Sequence, residues 1–217
     1  MTSSSPLISD YGSASVNAWN DSLCKRLFDL VLALLLLLLL SPLMVALALS
    51  VKLTSKGPVL FRQERVGKDG RQFQLMKFRS MREASQGPKV TRAGDPRVTT
   101  VGRIIRKWKL DELPQLFNVV RGDMSFVGPR PDVAEYLRHL SQPQRQILHL
   151  RPGITSSATL RYRKEEQLLS QVNEDLETFY CTKLLPDKVR TDLDYARNAG
   201  FKSDLGLLLK TLGAIVS

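Results

Sequence analysis

Two adjacent carboxylates, Asp111 and Glu112, stand out in a segment that is otherwise strongly basic. They lie in KLDELPQLFNVVRGD, residues 109–123, just before Pro114. Asp is a frequent helix N-cap, because its side chain accepts a hydrogen bond from the free N–H groups of the first turn. A carboxylate can also act as a nucleophile or as a metal ligand. The pair is therefore either a cap or a reactive site.

Arginines in rigid loops favour the reactive site. Arg130 lies between two prolines in GDMSFVGPRPD, residues 122–132, where the rings fix the backbone. Arg151 precedes Pro152-Gly153 in a tight turn. Turn arginines are usually just solvated, but a fixed guanidinium is also a preorganised phosphate ligand. Together with Arg106, they predict a pocket that pairs an acidic nucleophile or metal site with phosphate-binding groups.

Pro114 divides the surrounding segment into two predicted helices. Apolar residues recur at helical spacing on both sides, at Val101, Ile104, Ile105 and Trp108 and then at Leu113, Leu116, Phe117 and Val120. A continuous helix would press the proline ring against the carbonyl of Leu110, so the first helix is expected to end near Trp108–Lys109. The second is expected to begin at Asp111, which would place both carboxylates at the positive end of its dipole.

Residues 57–81, GPVLFRQERVGKDGRQFQLMKFRSM, predict a β-hairpin, because two runs of strand composition flank the turn cluster GKDG. Alternation along the second strand puts Lys77 and Arg79 on one face with Phe73 and Leu75. Charges at such positions are usually solvated at a sheet edge.

The net charge of +11 is concentrated in one block. Residues 51–109 carry sixteen Lys and Arg against four Asp and Glu, whereas residues 110–217 carry fourteen of each. Such a block is typical of a surface for phosphates, anionic lipid or nucleic acid. The two cysteines, Cys24 and Cys181, show neither metal-site spacing nor a disulfide framework.

The N-terminal region combines a polar tail with a membrane segment. Residues 1–20 are rich in Ser and have little to bury, which predicts a mobile tail. Between Leu30 and Leu49 only Ser41 and Pro42 are not apolar, and about 20 apolar residues suffice to cross a bilayer. This stretch is longer than the roughly 7–15 apolar residues of a secretory signal, which disfavours that alternative.

The residues alone allow two paths of this segment through the membrane, a span and a re-entrant hairpin. Pro42 must kink or break the helix, although spanning helices also tolerate proline. Lys25 and Arg26 precede the segment and further cations follow it. Because Lys and Arg favour the cytoplasmic side, a re-entrant hairpin that turns at Ser41-Pro42 is narrowly preferred over a span.

Several ordered motifs resemble those of the bacterial sugar transferases, also called monotopic phosphoglycosyl transferases. They are KRLFDLVLALLLLLLLSP, GPVLFRQERVG, FQLMKFRSM, DPRVTTVGRIIRKWKLDELPQLFNVVRGDMSFVGPRP and RPGIT. The resemblance runs from about Lys25 to the C-terminus, and the long central motif is highly specific. After RPGIT the chain departs from the more familiar members with SSATLRYRKEEQLL, which leaves the sugar and the base open.

The resemblance implies transfer of a phosphosugar from a nucleotide-diphosphate sugar, expected to be a UDP-sugar, to polyprenyl (undecaprenyl) phosphate, with Mg²⁺. The reaction would occur at the cytoplasmic face of the bacterial inner membrane. Asp111 would attack the β-phosphate and carry the phosphosugar while nucleoside monophosphate leaves, and Asp111 and Glu112 would bind the metal. Ser41-Pro42 would break a helix that enters and leaves by the same leaflet.

Cations must neutralise the repulsion between a carboxylate and a diphosphate. The candidate substrate-binding residues are Lys77, Arg79, Arg106, Arg130 and Arg151. The expected partners are the two substrates and membrane lipid, and a homodimer is left open. Nucleic acid is not expected, because no aromatic–basic strand motif or recognition helix is present. A non-enzymatic membrane adaptor would need neither the acidic pair nor an arginine, Arg130, that is fixed between two prolines.

The expected fold is therefore α+β, a mostly helical, membrane-associated domain with an N-terminal re-entrant helix-break-helix and a small β-hairpin. The expected parts are a tail (1–20), a re-entrant helix (21–50) and a cytoplasmic catalytic domain (51–217). The last helix places Leu205, Leu208, Leu209 and Leu212 on one face, and it is either core or interfacial.

Overall fold

The computed structural model describes residues 17–82, 91 and 93–216. Its helices are α1 (Leu23–Thr54), α2 (Thr100–Lys107), α3 (Gln115–Arg121), α4 (Ala134–Leu137), α5 (Ser157–Arg161), α6 (Glu165–Ser170), α7 (Leu176–Phe179), α8 (Leu185–Arg197) and α9 (Phe201–Val216). Its strands are β1 (Leu60–Val66), β2 (Gln72–Phe78), β3 (Ser125–Val127) and β4 (Gly153–Thr155). The predicted mostly helical α+β fold is confirmed. Most of the predicted tail, residues 1–16, lies outside the described residues.

The apolar N-terminal segment forms one helix, α1, which contains Pro42. The helix begins after Ser22, whose Oγ accepts a hydrogen bond from the N–H of Lys25 at 3.1 Å. Pro42 has no N–H for the carbonyl of Leu38, and the hydroxyl of Ser41 donates to that carbonyl at 2.8 Å instead. The freed carbonyl is thus satisfied. The sequence predicted a break at Ser41-Pro42, but α1 is one continuous helix. The re-entrant path stays a prediction.

α1 packs against the rest of the chain toward its two ends and is largely exposed over residues 38–43. Its buried residues are Lys25, Asp29 and Ala33 near the start, at helical spacing, and Val51 in the last turn. Leu38 is 76% exposed. By length and composition α1 could cross a membrane. An exposed apolar helix surface of this kind is typical of lipid contact.

The predicted β-hairpin is confirmed. β1 and β2 pair antiparallel, with Leu60 opposite Phe78 and Val66 opposite Gln72. The turn lies in the GKDG cluster, where the backbone of Asp69 is left-handed at φ 55°. Asp tolerates this region better than most residues, which suits it to the turn.

The two loops that carry arginines are joined by a short parallel strand pair. β3 pairs with β4 through Ser125 opposite Gly153. Where the pair ends, the backbones approach so closely that a Cβ on Gly153 would lie 2.2 Å from the nitrogen of Gly128. Only glycine fits this crossing, so Arg130 follows a rigid junction rather than a free loop.

A buried ion pair fastens the start of α1 to α9. Lys25 Nζ pairs with the carboxylate of Asp204. The same carboxylate accepts hydrogen bonds from Trp19 Nε1 at 2.9 Å and from the hydroxyl of Tyr195 at 2.8 Å. The charges are therefore compensated, as buried ions require.

Asp192 on α8 fixes the segment that follows β4. Its Oδ1 accepts a hydrogen bond from the N–H of Ala158 in α5 at 2.8 Å. Asp192 is 6% exposed. Burial raises the pKa of its carboxyl to about 7, although the bonds from Ala158 and Ser156 and the charge of Lys188 act in the opposite direction.

This pKa predicts a loss of stability as the pH rises. Between pH of about 4 and 7 the folded chain binds a proton at Asp192 that the unfolded chain has released, so the free energy of unfolding falls across that window. An Asp192→Asn variant keeps an acceptor for Ala158 and carries no charge. We expect its stability relative to wild type to increase by on the order of 2 kcal/mol from pH 5 to pH 8.

Thermal unfolding of the detergent-solubilised protein across this pH range measures the difference. Asp194→Asn is the matched control, because Asp194 lies on the same helix but is exposed. If Asp192→Asn and Asp194→Asn follow the same pH dependence, Asp192 does not titrate in this range.

Candidate active site

The acidic pair lies on a tight turn between α2 and α3. After α2 ends, Lys109 adopts the left-handed region at φ 54°. The pair follows in a single 3₁₀ turn, Leu110–Glu112, and α3 begins only after its N-cap, Pro114. The first predicted helix end is confirmed. The prediction that Asp111 caps the second helix is wrong, because Pro114 takes the cap position and the carboxylates precede it on a separate turn.

Glu112 is held by two cations from distant parts of the chain. Lys77 Nζ on β2 donates to Oε1 at 2.8 Å, and Arg130 Nη2 donates to the same oxygen at 3.0 Å. The Glu112 side chain is 11% exposed. Burial would raise the pKa of this carboxyl, but Arg130 and Lys77 outweigh it and hold the pKa well below its usual range. Glu112 is therefore a fixed anion.

Asp111 is buried beside this anion and lacks a hydrogen-bond donor. It is 5% exposed, and its buried Oδ1 has no partner among the residues that the structure describes. Burial and the charge of Glu112 raise the pKa of the Asp111 carboxyl, while Lys77 and Arg106 oppose that rise. A desolvated carboxylate without donors is poised to accept a cation, a proton or an electrophile.

Asn118 on α3 secures the turn against the hairpin, and the sequence analysis missed it. Its Oδ1 accepts from the N–H of Met76 at 3.1 Å, and its Nδ2 donates to the carbonyl of Gln74 at 2.8 Å. Asn118 is fully buried at 0% exposure. The sequence signal was a polar residue inside the apolar run LFNVV, which requires buried partners.

Arg79 is not directed at the acidic pair. It lies just beyond β2, and its guanidinium donates to the carbonyl of Pro58 and, at 2.8 Å, to that of Ser55. These groups follow the C-terminal end of α1, where helical carbonyls lack partners. The prediction that Arg79 shares a binding face with Lys77 is therefore corrected. Arg79 thus satisfies backbone carbonyls at the end of α1.

Arg106 and Arg151 have different environments. Arg106, in the last turn of α2, pairs with Glu166 on α6 and contacts Met81 Sδ at 3.6 Å. Its positive charge still acts on Asp111 and opposes the rise in the pKa of that carboxyl. Arg151 is partly buried and lines a small cleft beside the Gly128 junction. Lys77, Arg106 and Arg130 thus surround the acidic pair, whereas no described contact joins Arg151 to it.

A second cleft opens behind Arg130, between the proline-flanked loop and α8. Its charged groups come from Arg130, Asp132, Lys188 and Asp192, among mostly apolar side chains. Lys188 is paired with Glu165 of α6 at 2.9 Å. Neither Asp111 nor Glu112 lines this cleft, so Arg130 is the residue that it shares with the acidic site.

The described residues contain no cluster of three or more His, Cys, Asp or Glu side chains that could hold a metal. Mg²⁺ is commonly held by one or two carboxylates together with substrate phosphates. Asp111 offers an unpartnered oxygen, and both donors to Glu112 bond to Oε1, which leaves Oε2 available. These two carboxylates fit such a shared site.

The chain is similar to known proteins over most of its length. Residues 20–217 match the bacterial sugar transferase family. A UDP-glucose:undecaprenyl-phosphate glucose-1-phosphate transferase of Caulobacter vibrioides is 40% identical over 198 residues, which are 89% of this chain and 70% of the relative. The protein of the same name in Escherichia coli K12 is 40% identical over 196 residues, 88% of this chain and 39% of that protein.

A shorter relative is covered over most of its length. The exopolysaccharide production protein ExoY of Sinorhizobium fredii is 35% identical over 208 residues, 88% of this chain and 84% of that protein. The matches and the site define an enzyme of the phosphoglycosyl transferase class. The chain belongs to the bacterial sugar transferase family, as its motifs predicted.

The site geometry predicts that Arg130 is needed for turnover. An Arg130→Ala variant loses a charge-assisted contact and leaves Glu112 with Lys77 alone. We expect kcat/KM to fall by the equivalent of about 2–4 kcal/mol. Sugar-phosphate transfer by the purified protein measures the effect. Arg197→Ala is the control, because Arg197 pairs with Asp194 on the exposed surface. Near-wild-type activity in folded Arg130→Ala would exclude Arg130 from the reaction.

Proposed function

We propose that the chain transfers a sugar 1-phosphate from a UDP-sugar to undecaprenyl phosphate at the membrane, through a covalent intermediate on Asp111. The general reaction follows from the relatives, which are named as UDP-sugar:undecaprenyl-phosphate transferases. The observation that carries the role of Asp111 is its buried, unpartnered oxygen beside a fixed anion. The nearby cations suit an anionic substrate.

The first step is attack by a carboxylate oxygen of Asp111 on the β-phosphorus of the donor. The bond from this phosphorus to the bridging oxygen breaks, and uridine monophosphate leaves with the electron pair. An oxygen of undecaprenyl phosphate then attacks the same phosphorus and releases the Asp111 carboxylate. A carboxylate nucleophile divides one difficult transfer into two easier ones. The product is an undecaprenyl diphosphosugar.

The neighbouring residues have different electrostatic roles. Arg130 and Lys77 keep Glu112 ionised, and their charges favour the approach of a diphosphate to Asp111. Asp111 must be ionised to attack, and its raised pKa makes it a better nucleophile once it is ionised. Asp111 and Glu112 would hold Mg²⁺ together with the substrate phosphates. The ion would supply charge neutralisation at the diphosphate.

The contacts of α1 support a re-entrant, monotopic placement at the cytoplasmic face. Lys25 at its start pairs with Asp204, and Arg79 bonds to the carbonyl of Ser55 just after its end. Both ends of the helix thus contact the same folded body, which a perpendicular span would separate by about 30 Å of hydrocarbon. Pro42 lies within the helix, where a proline favours a bend.

The last helix supports interfacial contact on the same side. In α9, Leu205, Leu209 and Leu212 are exposed, whereas Leu208 packs against the cluster that contains Ala33 of α1. The four leucines thus share one face of α9, as predicted, and Leu208 lies at its partly buried edge, whereas Leu207 on the opposite face is buried. The exposed three form an apolar stripe close to α1, as an interfacial helix requires.

The topology proposal predicts that both ends of α1 face the cytoplasm. Ala18→Cys and Lys56→Cys place single thiols at exposed positions before and after the helix, in a background without Cys24 and Cys181. A membrane-impermeant maleimide should label neither thiol in intact spheroplasts and both after permeabilisation. Labelling of Ala18→Cys in intact spheroplasts would establish a span.

The proposed mechanism predicts that Asp111→Asn abolishes transfer without loss of stability. The amide cannot form the acyl phosphate. Replacing a buried, unpartnered charge should leave the thermal midpoint equal or higher. Intact-mass spectrometry with UDP-sugar and no acceptor should show a phosphosugar adduct on the wild-type protein and none on the variant.

Asp194→Asn controls for the loss of one negative charge, because Asp194 is exposed and pairs with Arg197 rather than with a residue of the acidic site. It should form the adduct like the wild-type protein. An adduct on Asp111→Asn would overturn the proposed nucleophile, even if the overall transfer reaction is observed.

A further inference from the structure

Arg106 is a cation near Asp111, and the ion-pair partner of Arg106 lies outside the acidic pair. One arm of its guanidinium donates to Glu166 Oε1 and the other contacts Met81 Sδ. Burial and Glu112 raise the pKa of Asp111, and Arg106 is among the cations that counter them. Arg106 is therefore close enough to act on the charge at the reacting carboxylate, while a second carboxylate already binds it.

Glu166 lies on α6, and several contacts hold this helix in place beside Arg106. Leu169 of α6 is 1% exposed and lies in the core. The preceding residue, Glu165, pairs with Lys188 of α8 at 2.9 Å. The carbonyl of Glu166 itself accepts from the N–H of Ala93 at 3.0 Å. These contacts hold the backbone of Glu166, so its side chain is the part that can move.

The two glutamates that bind arginine in this region differ in exposure. Glu112 is 11% exposed and bound by two cations, so releasing it would leave a buried charge without compensation. The Glu166 side chain is 47% exposed and that of Arg106 is 21% exposed. A partly exposed ion pair is weak, and water can solvate the released carboxylate. The Arg106–Glu166 pair is thus exchangeable, whereas the Glu112 contacts are fixed.

We propose that Glu166 is an internal competitor for Arg106, which a substrate phosphate displaces, and that this exchange sets the affinity of the site for that phosphate. Carboxylate and phosphate both present paired oxygens that fit a guanidinium fork. The phosphate comes from the donor diphosphate or from the lipid acceptor. The inference rests on the proposed function, and it adds an affinity-determining residue outside the acidic pair.

Glu166→Gln tests the competition because it keeps the size of the side chain and removes its charge. The probe is inorganic pyrophosphate, titrated calorimetrically into the full-length protein in detergent. We expect its Kd to fall by about two- to fivefold, the range that a partly exposed ion pair supports. Glu174→Gln is the matched control, since Glu174 is 46% exposed and pairs with Lys183 on the surface. It should leave the Kd unchanged.

A second variant separates competition from a structural effect. In an Arg106→Gln background, Glu166→Gln should no longer tighten pyrophosphate binding, because the cation that it releases is absent. Unchanged or weaker binding in Glu166→Gln, or an equal gain with and without Arg106, would overturn the proposal. This titration needs no turnover, so it tests the inference even if the proposed transferase reaction fails.

Kinetic measurements identify which phosphate competes. Adduct formation at varied UDP-sugar concentration reports the donor, and discharge of the adduct at varied undecaprenyl phosphate concentration reports the acceptor. One of the two KM values should fall in Glu166→Gln by the same factor as the pyrophosphate Kd, with kcat nearly unchanged. If both KM values equal those of the wild-type enzyme, Glu166 does not compete with substrate.

Discussion

The buried carboxylate of Glu112 connects three segments that are far apart in the sequence. Lys77 reaches it from the hairpin and Arg130 from the proline-flanked loop, while Glu112 itself lies on the turn after α2. A buried charge requires compensation, and here two cations share that role, so loss of one would leave Glu112 with a single partner. The geometry of the site therefore depends on this one anion, and rigid backbone at Gly128 supports one of its partners.

The same interaction explains how two adjacent carboxylates acquire different chemistry. Glu112 receives both nearby donors, and its pKa is held low. Asp111 is also buried, but no described residue donates to its Oδ1, and the charge of Glu112 adds to the desolvation that raises the pKa of Asp111. Environments that push two pKa values apart are a common way to assign separate roles to like groups. Here the ion-paired carboxylate organises the site and the unpartnered one is left to react.

Local patterns predicted the hairpin, the end of α2 and the acidic pair, because strand composition and proline stereochemistry act over a few residues. They failed where long-range contacts decide. Lys109 adopts a left-handed conformation that moved Asp111 off the cap of α3. The unpaired carbonyls at the end of α1 attracted Arg79. The environment of Asn118 depends on β2, more than 40 residues away, which no local periodicity encodes.

The basic block also shows why net charge is a poor measure of a binding field. Arg79 is used at the end of α1, Arg65 pairs with Asp132, and Arg106 pairs with Glu166. An ion-paired or carbonyl-bonded arginine attracts distant anions much less than a free one. Lys52 and Lys107, in contrast, are exposed near the ends of α1 and α2, where anionic headgroups can meet them. Among the residues that the structure describes, the block thus divides into cations that are engaged by other protein groups and cations that are exposed at the surface.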